Sequence, residues 1–436
     1  MAPFLPIGKG DFFDWPKLVD VFPWRYNGTQ WFRGWPIAPT EELLRRRVGK
    51  IVAAATARKK SLFKESAHRK IGKRYASDMP GGGEKPIDGL TEEDIANLNI
   101  ERFGFRSFDR AWAIIDTRFG DRPRQPLWDT ISEKQVFLTS LSAVPLANGS
   151  AMQSTIYLPD CHIVRGSYGV RDIFPLYRDA KGTEPNVTAG LLDALGKEYG
   201  ATPSPEDLAA YAYALLGGQS YTRRFWNELE TPSPRVPMTK DGATFAEAAK
   251  LGRKLIWLHT YAERFRGDGR GDEVPQGKAT TIKGVSSDPA HYPEKYAYDP
   301  AKREITVGDG RFGPVAPEVW DFEVSGLEVV KSWLAYRMKL RAGRKSSPLD
   351  EEHPERWTAR LSDEFLELLW VLEATLAMEP ELEKVLGKVV AGPCFAAADL
   401  PAPTAEQRKA SGKAAASDDQ PDLFGGDDED DDGDDD

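Results

Sequence analysis

The last nineteen residues, Asp418–Asp436, hold twelve acids and no Lys or Arg. A stretch so charged and so poor in apolar side chains cannot bury enough surface to offset the entropy of ordering it, so any fold must be built upstream. The tail also masks the charge of everything before it. Taking its twelve acids out of the whole-chain net of −10 leaves residues 1–417 at +2. A slightly basic body with an acidic tail points to nucleic acid, or to a tail that competes with it. Residues 401–436 are rich in Ala, Lys and Asp and read as a disordered acidic tail.

The 436 residues, 40% hydrophobic, suffice for two or three domains. No window approaches the 18 apolar residues a membrane span requires. Met1-Ala-Pro-Phe-Leu-Pro offers neither a basic region nor a long apolar run, so no secretory signal is expected. Two cysteines, Cys161 and Cys394, cannot make a disulfide framework or a four-ligand zinc site. The expectation is a cytoplasmic protein without a membrane partner.

Aromatics crowd residues 12–36, interrupted by prolines, which reads as an irregular packed segment. A helix follows. Glu41 and Glu42 sit in its first turn, and Leu44, Val48, Ile51, Val52 and Ala55 recur on one face. From Arg45 to Arg74 there are twelve positive charges against one acid, Glu65. Gly81–Gly83 reads as a linker. Residues 100–178 look β-rich, with strands expected at 102–108, 112–115, 135–139, 154–158 and 162–164. Residues 200–375 look mixed but mostly helical. Ser204 and Asp207 form a capping box with Pro205 at the first helical position, and Gly217-Gly218 ends that helix. Further helices are expected at 245–261, 326–338 and 365–378, and a hairpin at 295–298 and 305–307.

Several chemistries lack their motifs. There is no Walker sequence, no Gly-x-Ser-x-Gly elbow, no Asn/Asp-Pro-Pro-aromatic loop for adenine methylation, and no close histidine pair. His259 reads as a core histidine and Cys161 as a small buried residue. The positive signal is for DNA. Arg45, Arg46, Arg47, Lys50, Arg58 and Lys59 are candidate phosphate contacts, against the plainer reading of a solvated helix face. Arg102, Arg106 and Arg110 alternate with Phe103, Phe105, Phe108 and Trp112, which places guanidinium groups on one side of a strand pair. They are candidate base readers, against internal pairing with Asp109 or Asp116.

An ordered set of phrases carries a resemblance. Val21-Phe-Pro-Trp-Arg-Tyr-Asn-Gly leads to Trp35 and Leu43-Leu-Arg-Arg-Arg. Phe105-Arg-Ser-Phe-Asp-Arg-Ala-Trp comes next, then Tyr211-Ala-Tyr-Ala-Leu-Leu, Tyr221-Thr-Arg-Arg-Phe and Pro234-Arg-Val-Pro. Leu251-Gly-Arg-Lys-Leu and Val319-Trp-Asp-Phe-Glu-Val-Ser-Gly follow, with Arg337 and Ser347-Pro-Leu-Asp after them. This order, over roughly residues 14–375, resembles the region after the methyltransferase core in type ISP restriction-modification enzymes; Ser107 stands where that family has proline. The resemblance implies a coupler and target-recognition region, without the helicase, nuclease and methyltransferase parts that lie before it in the family.

The resulting expectation is an α+β chain. It comprises a basic helical coupler (1–80), a specificity region (81–375), a terminal helix (376–400) and the disordered acidic tail (401–436). It would be the DNA-recognition component of a restriction-modification or anti-phage system. Its partners would be double-stranded DNA and a separate methyltransferase or helicase-nuclease chain. No cofactor is expected in this chain; S-adenosylmethionine is expected on the partner methyltransferase. Residues 1–60 would dock that partner through the aromatic cluster and the apolar helix face. The rivals are a methyltransferase or nuclease of unfamiliar motif, and an acidic-tailed DNA mimic. In the tail, Gln420, Leu423 and Phe424 resemble peptides that dock on the bacterial replication sliding clamp.

Overall fold

The computed structural model describes residues 11–75, 79, 85–164, 172–343 and 345–410. The fold is α+β, with helices gathered around small antiparallel sheets. Near the N-terminus, strand β1 (Ile37–Ala38) leads into helix α1 (Glu41–Ala53), and helix α2 (Thr56–Phe63) follows. The Thr40 side chain accepts the Leu43 N–H at 3.3 Å, satisfying one of the donors a helix start leaves open. Strand β1 pairs with β3 (Arg110–Ile114), which also pairs with β2 (Ile100–Gly104). This sheet, α1 and α2 enclose a separate small core of Trp35, Leu44, Val48, Ile51, Phe63, Ile114, Phe119 and Leu349.

In the second sheet β4 (Phe137–Thr139) lies between β5 (Gln153–Thr155) and β6 (Ile173–Pro175). Every residue of these three strands is buried, so none shows the polar–apolar alternation of a half-exposed strand. The strand expected at 162–164 is a turn instead. The Asp160 carboxylate accepts the His162 N–H at 2.9 Å, and the Asp160 carbonyl accepts the Ile163 N–H at 3.2 Å.

The helical part begins with α3 (Leu191–Tyr199) and α4 (Pro205–Leu216). The Ser204–Asp207 capping box starts α4, as expected, and the helix ends at Gly217. Residues Leu208–Leu216 are all buried, so α4 is surrounded by protein. After α5 (Ser220–Arg224), α6 (Gly242–His259) packs along α4. A Cβ at Gly252 would run into the Ala210 carbonyl, so glycine here lets the two helices meet.

A third sheet, ordered β7-β10-β9-β8, is built from β7 (Thr280–Lys283), β8 (Tyr296–Asp299), β9 (Glu304–Val307) and β10 (Gly310–Gly313). The short pair β11 (Glu323–Val324) and β12 (Leu327–Glu328) precedes α7 (Val329–Ala335). The last helix, α8 (Ala359–Ala391), joins what the sequence split into two. Its buried face runs through Leu372, Thr375, Met378, Leu382, Val385 and Val389, so burial carries the helix past Pro380. Among the described residues no helix is long and apolar enough to cross a membrane.

Both ends of the described chain pack against the body. Phe12, Trp15, Phe22, Trp24 and Trp31 lie in the main core and Trp35 in the small one. These aromatics, and the α1 face from Leu44 to Ile51, are therefore satisfied within this chain. They do not form the partner-docking surface expected of residues 1–60. Residues 401–410 are tied to the body at two points: Arg408 donates to the Val19 carbonyl (2.9 Å) and pairs with Asp20 (2.6 Å), and Ala410 is buried. The expected disordered tail thus cannot start at 401; residues 411–436 lie outside those described.

Candidate nucleic-acid interface

The arginines of α1 are occupied by the protein itself. Arg47 is buried, donating to the carbonyls of Trp35 (2.7 Å), Ile37 (3.1 Å) and Glu352 (2.8 Å). Burial, with Arg341 nearby, pushes its pKa down to about 9. Arg45 donates to the carbonyls of Ile95 (2.7 Å), Ala96 (3.0 Å) and Leu98 (3.4 Å), satisfying the C-terminus of the short helix Glu92–Ala96. Glu352 takes Arg46 at 3.5 Å and Lys50 at 2.7 Å. The reading of Arg47 as a phosphate contact is therefore corrected; Arg45, Arg46 and Lys50 engage partners within the chain while their side chains stay 34%, 36% and 53% exposed. Arg47 is interior, and its three neighbours fasten α1 to distant segments.

A similar correction applies to the hairpin of β2 and β3. Arg102 pairs with Glu364 and lies 4.3 Å from the Trp112 ring centre. Arg106 pairs with Asp160 at 2.9 Å and donates to Tyr336 Oη at 3.2 Å. Arg110 pairs with Glu367, its guanidinium carbon 3.5 Å from the Tyr261 ring centre. All three side chains are mostly buried, with 15–17% of their surface exposed. They bind the hairpin to α8 and to the 160 turn instead of facing outward as base readers. Their internal partners are not Asp109 or Asp116, which are held by Arg337 and Arg118.

His259 is interior, as the sequence indicates. Its Nδ1 lies 2.6 Å from Tyr213 Oη and its Nε2 2.8 Å from Thr375 Oγ1; burial pushes its pKa down to about 3. Cys161 is buried, and burial raises its thiol pKa.

Apart from Lys50, the exposed positive charge of the Arg45–Arg74 run lies after α1. Arg58 and Lys60 on α2, and Lys64, Lys70, Lys73 and Arg74 on the following loop, all face solvent. Lys59 is only half available, since it donates to the Asp88 carbonyl at 3.2 Å. The loop is held from inside. Leu62, Phe63 and Ile71 are buried, Glu65 accepts the Ile71 N–H at 3.0 Å, and Arg69 donates to the Thr117 carbonyl. Among the described residues the nearest counter-charge in this set is Glu65, 3.9 Å from Lys70. A cationic strip on an anchored loop can meet a phosphate backbone without first being ordered.

Beside this loop lies a cluster that sequence reasoning missed. Phe32 packs against His68 with ring centres 5.5 Å apart, and the Arg122 guanidinium carbon lies 5.5 Å from the Phe32 centre. The three residues come from three chain segments with no shared period, so no pattern could have linked them. Buried Asp121 ties those segments together. It accepts the Phe32 N–H at 3.0 Å, Arg33 Nη2 at 2.8 Å and the Ser66 hydroxyl.

The family described as the type ISP C-terminal specificity domain matches residues 20–368. Three solved structures share the fold. A DrdV–DNA complex seen by cryo-EM aligns at TM-score 0.56 and 16% identity, over 84% of this chain and 36% of that one. LlaBIII, an ATP-dependent type ISP restriction-modification enzyme bound to DNA, aligns at 0.55 and 14%, over 87% of this chain and 24% of that one. A nuclease-deletion mutant of the type ISP enzyme LlaGI, in complex with a DNA substrate mimic, aligns at 0.52 and 14%, over 86% and 29%. This chain thus spans between about a quarter and just over a third of the length of those proteins. No curated protein matches it by sequence.

Proposed function

Because the chain belongs to the type ISP C-terminal specificity domain family, we propose that it recognises a specific duplex DNA sequence on behalf of a separate type ISP-like chain. That partner would carry the N6-adenine methyltransferase and translocase chemistry of a restriction-modification or anti-phage system. S-adenosylmethionine would bind there. The family match over residues 20–368 carries this reading. It takes in all three of the larger sheets and the first part of α8. The exposed cations from Arg58 to Arg74 add a physical reason, since Lys and Arg on phosphates release condensed counterions.

The test is selection from a randomised duplex pool by the purified chain, followed by a methylation assay with and without a candidate partner. One enriched sequence is expected, bound at least ~10³-fold more tightly than bulk DNA. Methyl transfer is expected only with the partner present. Equal retention of the whole pool, or methylation by this chain alone, would overturn the proposal. The clamp-like residues Gln420, Leu423 and Phe424 lie outside the described residues. They would add the replication sliding clamp as a partner, and a tail peptide that fails to bind the clamp at high micromolar concentration removes that addition.

A further inference from the structure

We propose that Phe32, with His68 and Arg122 beside it, is a stacking site for a nucleobase that has left the duplex stack. The proposal rests on the reading that this chain binds DNA, and it adds a place on the surface and a ligand chemistry. Phe32 is the most exposed aromatic between Phe12 and Trp35, at 38%. Single exposed rings are common on protein surfaces, so what sets this one apart is how its segment is held. It is held through Asp121. Its carboxylate holds the Phe32 backbone, Arg33 and the Ser66 hydroxyl together. Backbone hydrogen bonds between Gln30 and Arg122, at 3.1 and 3.0 Å, complete the frame. The backbone that carries the ring is thus fixed before any ligand arrives, which reduces the entropy lost when something packs against it.

What it faces favours a base over an apolar side chain. A partly exposed aromatic ring with a guanidinium over it offers flat π and cationic surface to a nucleobase, and stacking accepts any of the four bases. Burial and the adjoining Arg122 lower the His68 pKa, so the imidazole beside Phe32 is neutral at pH 7 and adds a flat ring. Lys64 and Lys70, on the same loop as His68, are exposed and offer phosphate contacts on either side of it in sequence. A ring for the base, with ammonium groups a few residues along the same loop for the backbone, combines the two features by which unpaired strands are bound. Such a base could come from a single strand or from a nucleotide extruded from a duplex.

The experiment uses the full chain and three DNAs of one sequence: an intact duplex, a duplex with one unpaired 2-aminopurine, and a single strand containing 2-aminopurine. Stacking quenches the fluorescence of this base. Quenching is expected when the natural chain binds the bulged duplex or the single strand, and the arm that responds identifies the source of the base. Phe32→Ala should abolish the quench and weaken that DNA about tenfold more than it weakens the intact duplex. Phe32→Trp should keep the quench, and the new indole should itself be quenched. Binding by the natural chain with no quench in either arm overturns the stacking site while leaving DNA recognition intact. Failure to bind any of the three DNAs overturns both. The decisive reading is made on the natural chain, so it holds even if a variant fails to fold.

Discussion

Arg337 and Asp109 face each other as a two-pronged ion pair. Nη1 donates to Oδ2 at 3.0 Å and Nη2 to Oδ1 at 2.7 Å, across 228 residues of sequence. Both side chains are at least 98% buried. The guanidinium also lies 3.7 Å from the Trp333 ring centre and donates to the Trp333 carbonyl. The pair joins the turn between β2 and β3 to the end of α7. Removing one partner strands the other charge in the interior, which costs about 3–5 kcal/mol. Asp109→Ala should therefore lower the urea midpoint sharply, whereas a matched apolar replacement of both residues should recover much of the loss. An Asp109→Ala midpoint equal to that of the natural chain would contradict this role.

Arg110 should behave as a fold residue. It pairs with Glu367 on α8 and lies on the Tyr261 ring. Its side chain is 16% exposed, so both contacts are partly dry. Arg110→Ala should cost about 2–3 kcal/mol of stability. The DNA sequence enriched from a random pool should not change. A shifted consensus in a chain that melts normally would restore Arg110 as a base reader.

These arginines show where the sequence stopped being informative. Periodicity and caps are local, so α1, α4, α6 and the β8–β9 hairpin were readable from residues a few positions apart. The Ser204–Asp207 box and the placing of His259 on a buried face followed from the same short-range rules. The destination of a charge is not local. Arg102 and Arg110 end on carboxylates 262 and 257 residues away, and Arg46 on one 306 residues away. A run of positive residues gives the sign of the surface only if no such carboxylate lies underneath. The α1 arginines have Glu352 and several carbonyl groups beneath them, while the residues from Arg58 to Arg74 mostly do not. Phe32 was hidden for a related reason: one exposed ring among many aromatics has no signature of its own.

His259 should leave a mark on the pH dependence of stability. Its pKa is about 3 in the fold and about 6.5 unfolded. Below pH 6.5 the unfolded chain binds a proton that the fold does not, so stability falls as pH drops from 6.5 towards 3. The slope from this residue approaches about 1.4 kcal/mol per pH unit. His68, whose pKa is also lowered, acts in the same direction. Urea midpoints measured from pH 7 to pH 5 should decline in the natural chain. In His259→Gln the decline should be shallower, whatever the absolute stability of that variant. Parallel slopes would mean that the imidazole takes up its proton in the fold at the same pH as in the unfolded chain.

The salt dependence of DNA binding should locate the electrostatic surface. Arg58, Lys60, Lys64, Lys73 and Arg74 are exposed, and among the described residues none of them forms an ion pair within the chain. Each phosphate contact contributes about −0.9 to the slope of log affinity against log salt. If all five touch phosphates, replacing them together with Ala should reduce the magnitude of the slope by about 4–5. Affinity should fall by a similar factor for every duplex, because phosphate contacts carry no sequence information. Arg45→Ala and Lys50→Ala are the controls: each engages the protein, so each should change the melting temperature more than the salt slope. The sequence alone would have assigned these two residues to DNA with equal weight, so the two sets of variants separate charge composition from charge placement. If the fivefold variant keeps the natural slope while the α1 variants flatten it, the surface lies on α1 after all.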